Sequence, residues 1–514
     1  MYIYIHIYIY VCVCVWVNIS VFRLPPWTSY YIPTPLQVPR EPDGVTWMGN
    51  DYFATADEGD FIGGSRGFTI FTAQGDIVYT SGNMLEHLNV RVGHYPEYRS
   101  GNKGAEPENC FYGVFGGEKL LFINMERANT VAVFNVDDPA NPVYQQILAT
   151  AVGPEGGIAI PGRNAFVVAS EVDSRGDGIR SSLNIYQRDA QTAAYPSLVS
   201  LNREGLSVPI PWSAMSGLGA GAGNTLYAIE DSYYNKNRIF TIDTSSQPAV
   251  LTKETRIMDT GGVFAAFTPQ GGFDADDLAA MINDDMSVNI DGEGVAMFTL
   301  DGNDVWVVAS EGAGNSGDTS RPVEKLNFLF FVGMDGVIVK VATLPEALNL
   351  NQLRYGFEGV APWGEKLVVA FQRAWPGGDA GARLGIYSPA DDSWEFVFYP
   401  LDTVESQNGG WVGLSDISPL GNGAFAVLER DNASGPDAAI KRVYTIDLSS
   451  MTDGGNITKV LHTDLMPLLQ STGGLVAEKV EGLAVVNGMA FIMNDNDGVD
   501  DNSGETNLFK FAWN

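Results

Sequence analysis

Short apolar runs recur along the chain, each of strand length and each bounded by Gly, Pro, Asn or Asp. They include Leu120-Leu121-Phe122-Ile123, Ala165-Phe166-Val167-Val168-Ala169, Val305-Trp306-Val307-Val308-Ala309, Leu367-Val368-Val369-Ala370 and Phe425-Ala426-Val427-Leu428. β-Branched and aromatic residues in such runs predict strands, and the turn residues between them predict hairpins. No amphipathic helical window interrupts the runs between residues 41 and 190. The single predicted helix is Asp274 to Asn283, an insertion inside a longer unit. The pattern is that of an all-β protein.

A second regularity lies over the first. A polar or acidic residue, in most cases followed by glycine, opens a strand run, as in Glu293-Gly294-Val295, Glu358-Gly359-Val360 and Glu481-Gly482-Leu483. Eight such openings stand at Asp43, Glu108, Glu155, Ser216, Glu293, Glu358, Ser415 and Glu481, spaced 65, 47, 61, 77, 65, 57 and 66 residues apart. A period of this size, with about four strands per unit, predicts β-propeller blades. In most units a second acid closes the hairpin 14 to 18 residues on: Glu126, Glu171, Glu311, Glu429 and Asp495. The Glu358 unit ends instead on Gln372-Arg373. Opening and closing acids lie at the same end of a hairpin, so they are expected to crowd one face around a channel. Pro209-Ile210-Pro211 reads as a linker. The expected division is residues 1–40 outside the fold, an incomplete three-blade propeller over 41–199, and a complete propeller over 200–514. One eight-unit ring is the alternative. Three blades cannot close, so a raw edge is expected in the first part.

The N-terminal tract alternates Tyr with Ile and then Val with Cys as far as Val17. It has no basic n-region, no small-residue cleavage site, and too few apolar residues for a bilayer span. A TA repeat running into a TG repeat would encode this alternation, which predicts translated microsatellite over residues 1 to about 20 from a misplaced start site.

Composition narrows the chemistry. The 514 residues carry 62 acids against 30 bases, a formal net charge of −32. Such a chain repels nucleic acid and anionic membrane and suits cations. Of three cysteines, Cys12 and Cys14 lie in the odd tract and Cys110 reads as a small buried residue, so neither a disulfide framework nor a zinc site built on two or more thiolates is expected. Histidine is limited to His6, His87, His94 and His462. No P-loop or dinucleotide fingerprint is present, and no nucleotide cofactor is expected. Gly63-Gly64-Ser65-Arg66-Gly67 has the letters of a nucleophile elbow, but the β-like Phe68-Thr69-Ile70-Phe71 follows where a helix is needed.

Carboxylates converging on a channel mouth repel one another unless a cation sits among them or some are protonated. Oxygen donors with few thiols or imidazoles favour Ca²⁺, ahead of Mg²⁺. The candidate ligands are Glu293, Glu311, Glu358, Glu429, Glu481 and Asp495; the structural alternative for each is a turn acid accepting backbone N–H bonds. Arg354, Arg373, Arg430 and Lys479 stand beside the same edges and are candidate oxyanion-binding residues, with surface ion pairing as their alternative role. The loop from Asn494 to Asn502 is densely acidic but lacks the EF-hand spacing, and reads equally as a calcium loop or a solvated turn. No catalytic nucleophile is assigned.

Several long phrases carry a family resemblance. Glu230-Asp231-Ser232-Tyr233-Tyr234-Asn235, Arg354-Tyr355-Gly356-Phe357-Glu358-Gly359, Gly409-Gly410-Trp411-Val412-Gly413-Leu414, Glu429-Arg430-Asp431-Asn432 and Glu478-Lys479-Val480-Glu481-Gly482 resemble the phytase-like family described by an esterase-like activity, from about residue 209 to the end. Residues 41–190 resemble the rear part of choice-of-anchor I propeller proteins, often labelled alkaline phosphatase-like, through Arg99 to Glu108 and Asp137 to Val143. In that group more propeller precedes this segment. The resemblance implies a secreted or cell-surface β-propeller with a phosphoester or ester hydrolase activity acting on a phosphorylated small molecule or an ester. Metal assistance is the expectation drawn from the acids. The rival reading is a non-catalytic propeller that binds a protein or glycan on its channel face.

Overall fold

The computed structural model describes residues 39–514 apart from 60–63, 175–177, 190–192, 316–317, 319–320, 350–353, 376–380 and 500–501. The microsatellite reading, Cys12, Cys14, His6 and Gly63 of the elbow-like stretch therefore lie outside the described residues. Gly67 opens the strand Gly67–Thr72, so the stretch runs into a strand and not a helix.

Eight antiparallel sheets follow one another, one per opening residue, and we number them as blades one to eight. Their first strands are Pro42–Met48, Pro107–Phe115, Pro154–Ile160, Met215–Ala220, Gly292–Leu300, Phe357–Trp363, Val412–Gly421 and Val480–Val486. Blades one, two, five, six and seven have four strands, and blades three and eight have three. Blade four has five, because Leu198–Ser200 adds in parallel to Ala249–Arg256 at its outer edge. The fold is a β-propeller.

The repeated opening residue has a single structural origin. In every blade the ladder between the first two strands slips by one residue, and the unpaired extra residue is Asp43, Glu108, Glu155, Ser216, Glu293, Glu358, Ser415 or Glu481. It is a β-bulge, which twists the strand and re-aims one side chain. The glycine after it meets the neighbouring blade. A Cβ on Gly217 would lie 2.4 Å from Glu293 O, on Gly294 2.4 Å from Glu358 O, and on Gly359 2.5 Å from Ile417 N. Only glycine lets the inner strands approach this closely.

These contacts trace a closed circuit of five blades. Blade four packs on five, five on six and six on seven through those glycines. Blades seven and eight join where Ser418 Oγ accepts Val485 N at 2.9 Å. Blade eight returns to four, with Gly482 against the Leu218 side chain. Blade seven carries Asp416 where its neighbours carry glycine, and its carboxylate spans the centre. It accepts Ile417 N at 2.8 Å, Leu483 N at 2.7 Å and Leu218 N at 3.2 Å, tying three blades together.

Blades one to three form an arc. Gly44 of blade one abuts Asn109 of blade two, and Gly157 of blade three abuts Phe111. The outward faces of the arc stay open: Val45 and Trp47 on blade one are 65% and 58% exposed, and Leu183 and Ile185 on blade three are 68% and 71% exposed. Arc and ring are stitched together around Gly93 and His94. Trp212 stacks under Gly93 and donates to Arg91 O at 3.2 Å. Asn496 donates to Gly93 O and to Gly504 O and accepts Ala214 N, each at 2.8 Å. His94 is buried between Ala128 O and the Tyr195 hydroxyl.

Two local expectations need correction or refinement. A helix, Met84–Arg91, interrupts the first part. Its eight residues bury only Leu85 and Asn89, too short a stripe for a periodicity reading. The expected 274–283 helix is present as Ala275–Ala280, with Asp274 as N-cap in a capping box. Cys110 is buried with its thiol donating to Ala54 O at 3.4 Å, and burial pushes its pKa up to about 12.

Candidate functional site at the ring mouth

The bulges gather acids at one end of the ring. Glu293 of blade five, the hairpin-closing Glu311 and Asp291 each place one carboxylate oxygen within 4.8 Å of the other two. All three are half-buried. Burial and the charges of Glu358 and Asp291 hold the Glu293 pKa well above the usual carboxylate range. Burial, then Asp291, pushes Glu311 up to about 7, although its carboxylate accepts Gly356 N at 2.9 Å. Gln372 Oε1 is a buried acceptor with no donor.

Around this core the remaining acids are partnered. Glu358 accepts Gln372 Nε2 at 2.7 Å, which is the role of the glutamine at that blade's closing position. Glu481 accepts Arg430 Nη2 at 2.6 Å, and Arg430 Nε donates to Ser415 Oγ at 3.0 Å. Blade seven thus opens with serine where its neighbours six and eight open with glutamate, and it closes with arginine where blades five and eight close with an acid. A buried cation is supplied within the acidic set. Asp495 faces Lys479 Nζ at 3.3 Å, and Lys479 also pairs with Asp497.

Glu429 lies apart. It precedes Arg430 on the strand, so its side chain leaves by the opposite face, where it accepts Tyr399 Oη at 2.8 Å and Lys459 Nζ at 2.7 Å. Of the six carboxylates picked from sequence, two share the tight cluster, three lie around it in ion pairs or amide contacts, and Glu429 is elsewhere.

Among the four candidate cations, Arg430 and Lys479 are neutralised by carboxylates. Arg354 is exposed at the rim, 5.3 Å from the Tyr355 ring centroid. Arg373 lies between two aromatic rings that are tilted 46° to each other, 3.5 Å from the Tyr355 centroid and 3.6 Å from that of Trp411. Its Nε is buried without an acceptor, and burial lowers its pKa. Contact with both rings restrains the guanidinium. Tyr355, inside the Arg354-Tyr355-Gly356 phrase, and Asp291, two residues before an opening acid, escaped the sequence reading. Side-chain stacking and the approach of Asp291 to the next bulge depend on tertiary packing.

Over its described residues the Asn494–Asn502 loop is not a solvated turn. Asn494 and Asn496 are buried, with amides spent on Glu505 O, Gly93 O and Gly504 O. It is a junction latch.

Comparison with known proteins fits this architecture. The choice-of-anchor I domain matches residues 61–139. Among solved structures, hydrazine synthase of Kuenenia stuttgartiensis is 12% identical over 77% of this chain and 93% of its own, with a TM-score of 0.27. A Lactobacillus plantarum protein is 10% identical over 71% and 84% of the two chains, with a TM-score of 0.28. The allergen Mala s 1 of Malassezia sympodialis is 10% identical over 58% and 92%, with a TM-score of 0.32. Likenesses this distant carry no argument about activity. No curated protein matches the chain. Among the described residues no helix is long and apolar enough to cross a membrane. The phytase-like description, esterase-like activity of phytase, matches residues 210–498, which span the five-blade ring and more than half of the chain, and the protein belongs to that family.

Proposed function

We propose that the protein is an exported, cation-assisted hydrolase of phosphoesters or carboxyl esters, working at the mouth of the five-blade ring. The observation that carries this reading is the Asp291, Glu293 and Glu311 cluster, with oxygens within 4.8 Å of one another. Two atoms bound to one Ca²⁺ at about 2.4 Å are at most about 4.8 Å apart, so the three can share an ion. The donor set is all hard oxygen, with Gln372 Oε1 as an unspent acceptor beside Glu358, and it fits Ca²⁺ better than Mg²⁺, which demands a tighter octahedron. A bound dication would supply positive charge for a phosphoryl or carbonyl oxygen.

The chain's own residues do the rest. Arg373, clamped by Tyr355 and Trp411, orients an oxyanion with its planar fork. Glu311, raised by burial and by Asp291 when no cation is present, would be held ionised as a ligand once the dication binds. Arg430 holds Glu481 in place through its hydrogen bond, which makes it a positioning residue. Export rests on the match to the choice-of-anchor I domain and is tested by fractionating the native source.

The test is an assay of the full chain on p-nitrophenyl phosphate and p-nitrophenyl acetate, with Ca²⁺, with Mg²⁺ and with chelator. Turnover that needs Ca²⁺, is lost in Glu293→Gln and shows a raised KM in Arg373→Ala is the expected result. Absence of turnover on both substrate classes under every condition overturns it. That outcome leaves the binding propeller, a reading favoured by the fact that two of the four rim cations are already neutralised.

A further inference from the structure

The three-blade arc carries a second acidic cluster that the ring-mouth reading does not use. Glu108 is the bulge residue of blade two, Glu126 closes the same hairpin, and Glu155 is the bulge residue of blade three. One oxygen from each lies within 4.8 Å of the others. Acids alone make no site, since carboxylates also crowd together by sharing protons. What singles this cluster out is Asn124. It is fully buried, and its Nδ2 donates to the backbone oxygen of Glu155 at 3.1 Å. It stands two residues before Glu126 on the strand Glu118–Met125 and so shares its face. The amide is therefore held between two of the three carboxylate-bearing residues, and its Oδ1 has no donor. A buried amide oxygen left unpaired is destabilising, and a cation ligand would satisfy it.

Charge gives the same answer. Glu126 is balanced by Arg127 Nη2 at 2.9 Å. Arg127 also reaches Glu106 at 3.4 Å, and Arg99 pairs with Glu106 as well. Glu108 and Glu155 have no cationic partner among the described ion pairs, and Glu108 is hydrogen-bonded to Asp43, so the acids here outnumber the cations that reach them. The donors are three carboxylates and one amide oxygen from two adjacent blades, all hard, with no thiol or imidazole among them.

We propose that the arc binds one divalent hard cation of the Ca²⁺ class between blades two and three, held by Glu108, Glu126, Glu155 and Asn124 Oδ1. The ion bridges the blade boundary and fastens the open arc, where no closing contact with a further blade does so. This site is independent of the ring-mouth cluster and of any catalytic activity.

The experiment is calorimetric titration of the chelator-treated full chain with CaCl₂, repeated with Tb³⁺ luminescence. Three variants are compared: Glu108→Gln/Glu155→Gln, Asn124→Ala and Glu293→Gln. The double variant is expected to lose one equivalent of binding that Glu293→Gln retains. Asn124→Ala, which leaves every carboxylate in place, is expected to weaken that equivalent by about tenfold. Unchanged stoichiometry in the double variant overturns the proposal, and so does the absence of any Ca²⁺ binding by the wild-type chain at millimolar concentration. If the double variant does not fold, an unchanged Kd in Asn124→Ala overturns it instead. Loss of a separate equivalent in Glu293→Gln bears only on the ring mouth, whereas loss of all binding in that variant overturns the proposal.

Discussion

The arc and the ring are built from one repeated unit, yet they solve the packing problem differently. Each unit has a bulged opening residue and most have a glycine that admits the next blade. In the ring, contacts between adjacent blades are made five times and return to their start, so every blade has two neighbours. In the arc they are made twice and stop, leaving Val45, Trp47, Leu183 and Ile185 facing outward. The difference teaches that a blade's sequence does not encode closure. Closure comes from the number of units and from one exceptional residue, Asp416, which spans the centre where the other four ring blades carry glycine.

The sharpest way to break the comparison is to add one methyl group at equivalent positions. Gly294 in the ring and Gly44 in the arc both follow a bulge. A Cβ would lie 2.4 Å from Glu358 O in the first case and 2.5 Å from Asn109 Oδ1 in the second. Blade five is locked between two neighbours, so its strain must spread around the circuit. Blade one can shift toward its open side. Gly294→Ala is expected to cost about 4 kcal/mol in denaturant unfolding and Gly44→Ala about half of that or less. Equal losses would show that the arc is as constrained as the ring.

Asp416 offers the next largest effect. Burial raises its pKa well above the usual range even though three backbone N–H groups point at it. Asp416→Ala strands the Leu218 and Leu483 N–H groups at the ring centre, a loss of about 3 kcal/mol. Asp416→Asn keeps an acceptor oxygen and is expected to recover most of that. A ring that tolerates alanine at this position would place the closing energy in the inter-blade cores instead.

Much of this architecture was legible in the sequence, and the reason is local. The bulge-plus-glycine phrase repeats because each blade meets the same steric demand, so all eight opening residues could be found by eye. The side of the strand reached by a closing acid follows from register, which is why Glu429 misleads: it sits one residue before Arg430, the true counterpart of Glu311. The Arg373 stack and the Asp291 approach escaped because they join residues brought together only by neighbouring blades. Helix Met84–Arg91 escaped because eight residues show too little of a 3.6-residue period.

The seam between the two regions should respond to pH. His94 is fully buried there, and burial lowers its pKa to about 4 from a usual value of 6.5. The folded protein therefore resists protonation that the unfolded chain accepts. Stability conferred by neutral His94 is fully present above pH 6.5 and is lost progressively as pH falls toward 4. Between pH 7.5 and pH 5 the loss is about 2 kcal/mol. In His94→Gln this component of the pH slope should vanish. Acid sensitivity that survives unchanged would place the titrating group among the carboxylates.

The smallest effect is the one that tests whether the arc is open. Val45 follows Gly44 as Val295 follows Gly294, so the two valines hold equivalent places in their blades. Val295 is 1% exposed between blades four and five, whereas Val45 is 65% exposed. A valine with that much solvent contact contributes little burial energy, and a lysine there keeps its ammonium in water. Val45→Lys should therefore change unfolding free energy by no more than about 0.5 kcal/mol. It should also raise solubility, since the substitution breaks an apolar sheet face that would otherwise invite association. A loss of several kcal/mol would mean that this face is covered in solution as its counterpart is in the ring. The arc would then be one part of a larger closed assembly.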